Sequence, residues 1–124
     1  MYFTDIQDPA AARDDVALGA WGEDFGDGST FFEPLLGSAA AHGGSNYGDY
    51  SDRVLDRAIG RIDRMPLGAK RARAYSDLST AIMRSRAPVA VYRLRRRAFL
   101  LSPRVTGFSL RPASGVDWGL IGLR

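Results

Sequence analysis

The sequence has no cysteine and only one histidine, and this composition excludes several kinds of site. Without cysteine there is no disulfide, no thiolate metal site and no cysteine nucleophile. A base or metal site that depends on histidine would rest on His42 alone, which lies in a glycine-rich stretch with no nucleophile motif nearby. We therefore predict that His42 is a solvated loop residue, and that the chain is not an enzyme and has no cofactor or metal.

Long hydrophobic runs are also missing, because no stretch approaches the length of a membrane span. The first residues contain neither the basic region nor the apolar segment of a signal peptide. These absences predict no membrane span and a cytoplasmic location for the chain as written. The length of 124 residues suits one domain of modest size.

The charge is distributed unevenly along the chain. Nine acids and one base give residues 1–50 a charge of −8, whereas sixteen bases and five acids give residues 51–124 a charge of +11. The densest basic cluster consists of Arg93, Arg95, Arg96 and Arg97. It fits either a phosphate contact or a strand edge kept soluble by charge. Because no aromatic residues alternate with these arginines, we favour the soluble edge and predict no nucleic-acid partner. Tight, salt-sensitive nucleic-acid binding would favour the alternative.

The apolar pattern predicts an α/β chain with short strands and two main helices. Short apolar runs predict strands at 16–21, 89–92, 98–101 and 105–110. Residues 30–36 predict an apolar turn or short helix, and the small, polar residues 37–50 predict a mobile surface loop. One helix is predicted from an N-cap at Ser51 to a break at Pro66, and a second over about 69–86.

Each of the two main helices has an apolar stripe at helical spacing. The stripe of the first helix is Val54, Leu55, Ala58, Ile59, Ile62 and Met65. The stripe of the second is Ala72, Tyr75, Leu78, Ala81 and Ile82.

A series of short motifs then follows one order along the chain. They are Gly19-Ala20-Trp21-Gly22-Glu23-Asp24-Phe25, the apolar segment 31–36, Asn46-Tyr47, Ser51-Asp52, Leu55-Asp56-Arg57-Ala58, the Tyr75 helix from Arg73 to Ile82, Ala87-Pro88-Val89-Ala90-Val91-Tyr92 and Ser102-Pro103-Arg104-Val105-Thr106-Gly107-Phe108. In this order they resemble the closing segment of extracytoplasmic solute-binding proteins of the family-5 type, the peptide-binding components of ABC importers. The resemblance covers about residues 2–120.

The resemblance implies a fragment of a two-lobed, periplasmic-binding-protein-like (type II) fold, with residues 1–124 as its incomplete C-terminal segment. It also implies a peptide or similar small-solute ligand, permease subunits of an importer as partners, and an extracytoplasmic location. Members of the family are several times longer and are exported. The loop Phe25-Gly26-Asp27-Gly28 also lacks the proline that the family often has after the aspartate, which makes this loop looser.

The resemblance makes Asp24 and Trp21 the candidate ligand-binding residues. A peptide ammonium enclosed in a cleft needs a carboxylate, because an unpaired buried charge is very costly. Asp24 occupies the position at which oligopeptide-binding relatives have that carboxylate, and Trp21 offers a flat apolar wall with one N–H donor. The alternatives are a turn-capping aspartate and a core tryptophan.

The resemblance also implies that the chain alone is half of a cleft. We therefore expect no detectable peptide binding by the isolated chain, since such sites enclose most of the ligand. Bared apolar faces of the short strands predict self-association. A truncated gene product without a ligand is the alternative to a binding protein.

Overall fold

The computed structural model describes residues 2–8, 10, 16–94, 98–111 and 115–124. Its helices are α1 (Tyr2–Gln7), α2 (Ser29–Leu36), α3 (Arg53–Asp63) and α4 (Ala69–Ser85), with single 3-10 turns at Ser38–Ala40 and Trp118–Leu120. Its strands are β1 (Val105–Thr106), β2 (Leu110–Arg111), β3 (Gly115–Val116) and β4 (Gly122–Leu123). The described residues therefore form a small mixed fold of helices and short antiparallel strands, consistent with a fragment of an α/β fold.

The two main helices lie where the sequence predicts them, and their caps explain the bounds. α3 begins at Arg53 because the Asp52 carboxylate accepts hydrogen bonds from the N–H groups of Val54 (2.8 Å) and Leu55 (3.3 Å). The N-cap is therefore Asp52, one residue later than the predicted Ser51. The break after α3 ends at Gly68, whose φ of 139° is a conformation that glycine adopts without a steric penalty.

The core lies between α2, α3 and α4. Its buried members are Phe32, Leu36, Leu55, Ile59, Ile62, Tyr75 and Ile82. The rings of Phe32 and Tyr75 lie 5.1 Å apart between centroids, so α2 contacts α4 directly. Packing between these three helices thus provides the main apolar burial among the described residues.

The buried faces are narrower than the predicted apolar stripes. Val54 is 61% exposed, and Ala72 and Ala81 are also exposed. Val54 precedes the buried Leu55 by one residue, a rotation of about 100° around the helix, and α4 covers only the Leu55 side. These three assignments to the core are therefore wrong, because the helices bury only a narrow face of each other.

The segment predicted to be a mobile loop is closed by a buried asparagine. Asn46 is 3% exposed, and its amide nitrogen donates to the carbonyl oxygens of Gly37 (3.1 Å) and Tyr50 (2.7 Å). Its amide oxygen accepts from the Tyr50 N–H (3.1 Å). One side chain therefore ties the end of α2 to the approach to α3, which composition alone does not reveal.

Three of the four predicted strands are not strands in the structure. Residues 16–21, 89–92 and 98–101 contain no assigned strand, and the run 105–110 pairs only at its ends. β1 pairs with β4 (Val105 opposite Leu123), and β2 pairs with β3 (Leu110 opposite Val116), both antiparallel. An apolar run becomes a strand only where a neighbouring strand meets its backbone N–H and C=O groups, and no described strand lies beside these three runs.

Apolar side chains in the runs that fail to form strands are exposed to solvent. Leu100 is fully exposed, and Val16, Val91 and Tyr92 are each more than two-thirds exposed. Such a surface is the physical basis of the expected self-association, which stays a prediction.

Candidate functional site

Trp21 lies at the start of the turn that precedes α2 and is neither a core residue nor the end of a strand. Its side chain is 37% exposed, and its indole Nε1–H donates to the carbonyl oxygen of Thr30 at 2.6 Å. The N–H donor is therefore already used within the chain. What Trp21 offers to a ligand is the exposed part of its ring.

Asp24 lies in the same turn, and its side chain is exposed. No described residue donates a hydrogen bond to its carboxylate or forms an ion pair with it. Turn capping, the alternative role for Asp24, is performed by Asp27, which accepts from the Ser29 N–H (3.1 Å) and the Ser29 hydroxyl (2.7 Å). The structure thus brings Trp21 and Asp24 together on one turn and leaves the Asp24 carboxylate open to solvent.

An ion-pair network directly after this turn supports it. We call Asp27, Asp63, Arg71 and Tyr75 the Arg71 cluster. Arg71 binds Asp27 through two parallel hydrogen bonds, Nε to Oδ2 at 2.9 Å and Nη2 to Oδ1 at 2.7 Å. Nη2 also donates to Asp63 Oδ1 at 2.8 Å, and Nη1 donates to the Asp63 carbonyl at 2.5 Å. The Tyr75 hydroxyl donates to Asp63 as well.

The cluster is buried where its charges meet. The side chains of Arg71 and Asp27 are only 9% and 6% exposed, and the guanidinium carbon lies 5.6 Å from the centre of the Tyr75 ring. A planar guanidinium suits this position because its fork matches a carboxylate in two places. The cluster therefore connects the turn before α2, the end of α3 and the first turns of α4.

The electrostatic environment shifts the pKa values of the acids in and beside the cluster. Hydrogen bonds from Arg71, aided by Ser29, lower the pKa of Asp27 to about 2. Partial burial, and next the charge of Asp63, raise the pKa of the neighbouring Glu33. Burial, together with the hydrogen bond to Asp63, raises the pKa of Tyr75. Asp27 thus stays ionised at neutral pH, and Tyr75 stays neutral.

Sequence reasoning missed Arg71, although a signal was present. Arg71 lies four residues before Tyr75 and eleven before Ile82, so it shares their buried face of α4. The predicted apolar stripe instead includes Ala72, which is exposed. A basic residue at a stripe position of a helix predicts a buried acidic partner, but the sequence does not reveal which acid it is.

We expect the stability of the chain to fall in acid partly through Asp27. Its pKa is lowered from 3.8 to about 2 on folding, so it contributes stability that is present above about pH 4 and is lost as the pH falls towards 2. The Asp27→Asn variant should therefore be less stable than the parent at pH 6, and the difference should shrink towards pH 2. Urea unfolding followed by circular dichroism at several pH values measures this.

Ile59→Val is the matched control for this prediction, because it removes one buried methyl group and no charge. Its loss of stability should be similar at every pH. Equal pH dependence in Asp27→Asn and the parent would show that Asp27 is not the group responsible.

The remaining chemistry-bearing groups offer less. The His42 side chain is 78% exposed, and its Nδ1 atom lies 3.4 Å from Oδ2 of Asp49, which confirms a solvated loop histidine.

In the described ranges, no three His, Asp or Glu side chains are placed to hold a metal ion. No helix in the described part of the chain is long and apolar enough to cross a membrane. Arg95, Arg96 and Arg97 of the basic cluster lie outside the described residues, so that prediction stays open.

Comparison with known proteins gives one likeness of fold. No protein-family model matches the chain, and no curated protein matches it. The structure is similar to that of HbpA2 from Haemophilus parasuis, with a TM-score of 0.60 at 20% sequence identity. The match covers 84% of this chain and 20% of that chain, so this chain spans about a fifth of the length of HbpA2. At this identity the likeness shows the fold alone.

Proposed function

We propose that this chain is the closing segment of an extracytoplasmic solute-binding protein of the family-5 type, and that it acts as a non-catalytic binding module. In this proposal the Asp24 carboxylate pairs with the α-ammonium of a peptide, and the exposed part of the Trp21 ring packs beside the peptide. The complete protein would deliver its ligand to the permease subunits of an ABC importer. An extracytoplasmic location belongs to the same proposal.

The observation that carries the proposal is the state of Asp24. Its carboxylate is exposed and has no hydrogen-bond donor among the described residues, while Asp27, three residues later, is buried and fully used by the fold. The acid in the position that the family resemblance assigns to the ligand is thus the one that the chain leaves available. An ammonium brought against it would gain a charge-assisted hydrogen bond.

The fold likeness supports the proposal at a coarser level. The matching region comprises most of this chain and a fifth of a much longer one. This is what a segment of a larger α/β protein would give. The exposed apolar runs 89–92 and 98–101 also fit a segment whose neighbouring strands belong to further chain.

The test begins with the DNA that precedes the segment in its gene. The proposal expects an in-frame continuation that encodes the rest of a two-lobed protein and an export signal. That longer protein should bind a short peptide with a free amino terminus and should bind the N-acetylated form of the same peptide much more weakly. Acetylation removes the charge that Asp24 is proposed to pair with, and calorimetry measures the difference.

Three outcomes would contradict the proposal. Equal affinity for the free and acetylated peptides would remove the ammonium from the recognition. A continuation that is absent, together with no binding of any peptide, would favour a truncated product without a ligand. Salt-sensitive retention of nucleic acid at physiological salt would favour an arginine-rich nucleic-acid-binding protein instead.

A further inference from the structure

The turn that carries Asp24 is anchored on both sides, by a local hydrogen bond before it and by an ion pair distant in sequence after it. Upstream, the Trp21 indole N–H binds the Thr30 carbonyl oxygen at 2.6 Å. Downstream, Asp27 is bound by the guanidinium of Arg71, which lies 44 residues further along the chain. Asp24 lies midway between these two anchors.

A close contact next to Asp27 also packs the backbone at Gly28 against Tyr75 of α4. A Cβ atom built at Gly28 would lie 2.5 Å from Tyr75 Cγ, so only glycine lets the backbone approach the ring this closely. By contrast, nothing lies within 4 Å of the corresponding positions at Gly22 and Gly26. Gly22 and Gly26, on either side of Asp24, are therefore open to solvent.

The composition of the open stretch makes the anchors necessary. Glycines at 22 and 26 give the backbone wide conformational freedom, and ordering each such residue costs entropy. A binding carboxylate is effective when this cost has been met before the ligand arrives. Tying both ends of the stretch reduces the number of positions that Asp24 can adopt.

We propose that Arg71 is a positioning residue for ligand binding. It holds Asp27 in place and thereby positions the turn that carries Asp24. This role rests on the proposed function for its purpose, although the positioning itself is a property of the chain. Arg71 makes no contact with the ligand in this proposal. Its two-point grip on Asp27, with its bonds to the Asp63 carbonyl and carboxylate, fixes the turn relative to α3 and α4.

The absence of cysteine makes the positioning directly measurable. Asp24→Cys and Asp77→Cys introduce two unique attachment sites for nitroxide labels, one on the turn and one on the exposed face of α4. The labelled protein is diluted with unlabelled protein. Pulsed electron–electron double resonance then gives the distribution of distances between the label on the turn and the label on α4. No ligand is needed for this measurement.

Arg71→Lys and Asp27→Asn should each widen this distribution. Lysine at position 71 keeps the positive charge but cannot form the two parallel hydrogen bonds to Asp27. Asparagine at position 27 keeps the shape of the side chain but loses its charge. We expect the distribution to become at least about twofold wider, because the glycine-rich stretch before Gly28 gains backbone freedom when Asp27 is no longer held by Arg71. Arg71→Lys retains a buried charge, so it stays informative if Asp27→Asn disturbs the helices.

Two controls separate positioning from general loosening. Arg73→Lys makes the same chemical change on an exposed side of α4, and Ile59→Val weakens the core without touching the Arg71 cluster. Both should keep the narrow distribution of the parent. A narrow distribution in Arg71→Lys, or an equally wide one in Ile59→Val, would overturn the positioning role.

The outcome is independent of the peptide titration described above. If no peptide binds but Arg71→Lys widens the distribution, the proposed function fails and the positioning of the turn stands. If peptides bind and the turn stays narrow in Arg71→Lys, only the role of Arg71 fails.

Discussion

Replacing Leu55 by alanine is expected to lower the free energy of unfolding by about 2–5 kcal/mol, which is a large part of the total stability of a domain of this size. Leu55 is 4% exposed and belongs to the core between α2, α3 and α4. Its truncation removes buried apolar surface and leaves a cavity that the surrounding side chains fill only in part. Urea unfolding at neutral pH, followed by the helical circular dichroism signal, measures the loss.

Val54→Ala is the matched control, since it lies next to Leu55 on the same helix but is 61% exposed. Its effect should stay within about 0.5 kcal/mol, as for other exposed positions. The pair decides between the apolar stripe drawn from the sequence, which includes both residues, and the narrower face in the structure. Equal losses in the two variants would mean that α3 buries the wider stripe that includes both residues.

The second large effect concerns the ligand. In the longer protein proposed above, Asp24→Asn is expected to weaken peptide binding by about 3–5 kcal/mol, because an enclosed ammonium would lose the carboxylate that pairs with it. Asparagine has nearly the same shape as aspartate, so the loss reports charge and not packing. Calorimetric titration of the two proteins with one peptide gives the difference.

Asp77→Asn makes the same change at an exposed position on α4, away from the turn, and should leave the peptide affinity unchanged. The thermal unfolding of both variants should match the parent, because neither side chain is buried. Unchanged affinity in Asp24→Asn would remove Asp24 from the binding site, whatever the peptide.

The two main helices, α3 and α4, were predictable because their signals are local. The polar start at residues 51–52, the break after Met65 and the stop before Pro88 lie within a few residues of the bounds that they determine. The strands were not predictable, because a strand exists only where a second strand meets it. The runs 16–21 and 89–92 have the composition of strands, yet no described strand pairs with them.

The candidate site shows the same division. Trp21 and Asp24 are three residues apart in sequence, so their proximity follows from the chain alone, although the predicted strand that ends at Trp21 is absent. Arg71 lies far along the chain, and its partnership with Asp27 depends on how α2 and α4 pack. The sequence offered an arginine at a buried helical position and several acids, but only the packing selects Asp27 and Asp63 from among them.

Asp27 and Arg71 lie 44 positions apart in the sequence, and from this separation we expect an order of folding. α3 and α4 are joined by a short connection, so their contacts close a small loop and are expected to form early. The Asp27–Arg71 pair closes a much longer loop and depends on a completed α4, so we expect it to form after the helix pair. By the same reasoning we expect the turn before α2 to open by local fluctuation more readily than α3 and α4 separate. We therefore expect Asp24, the proposed ligand carboxylate, to be the last part of the proposed site to be assembled and the first to be lost.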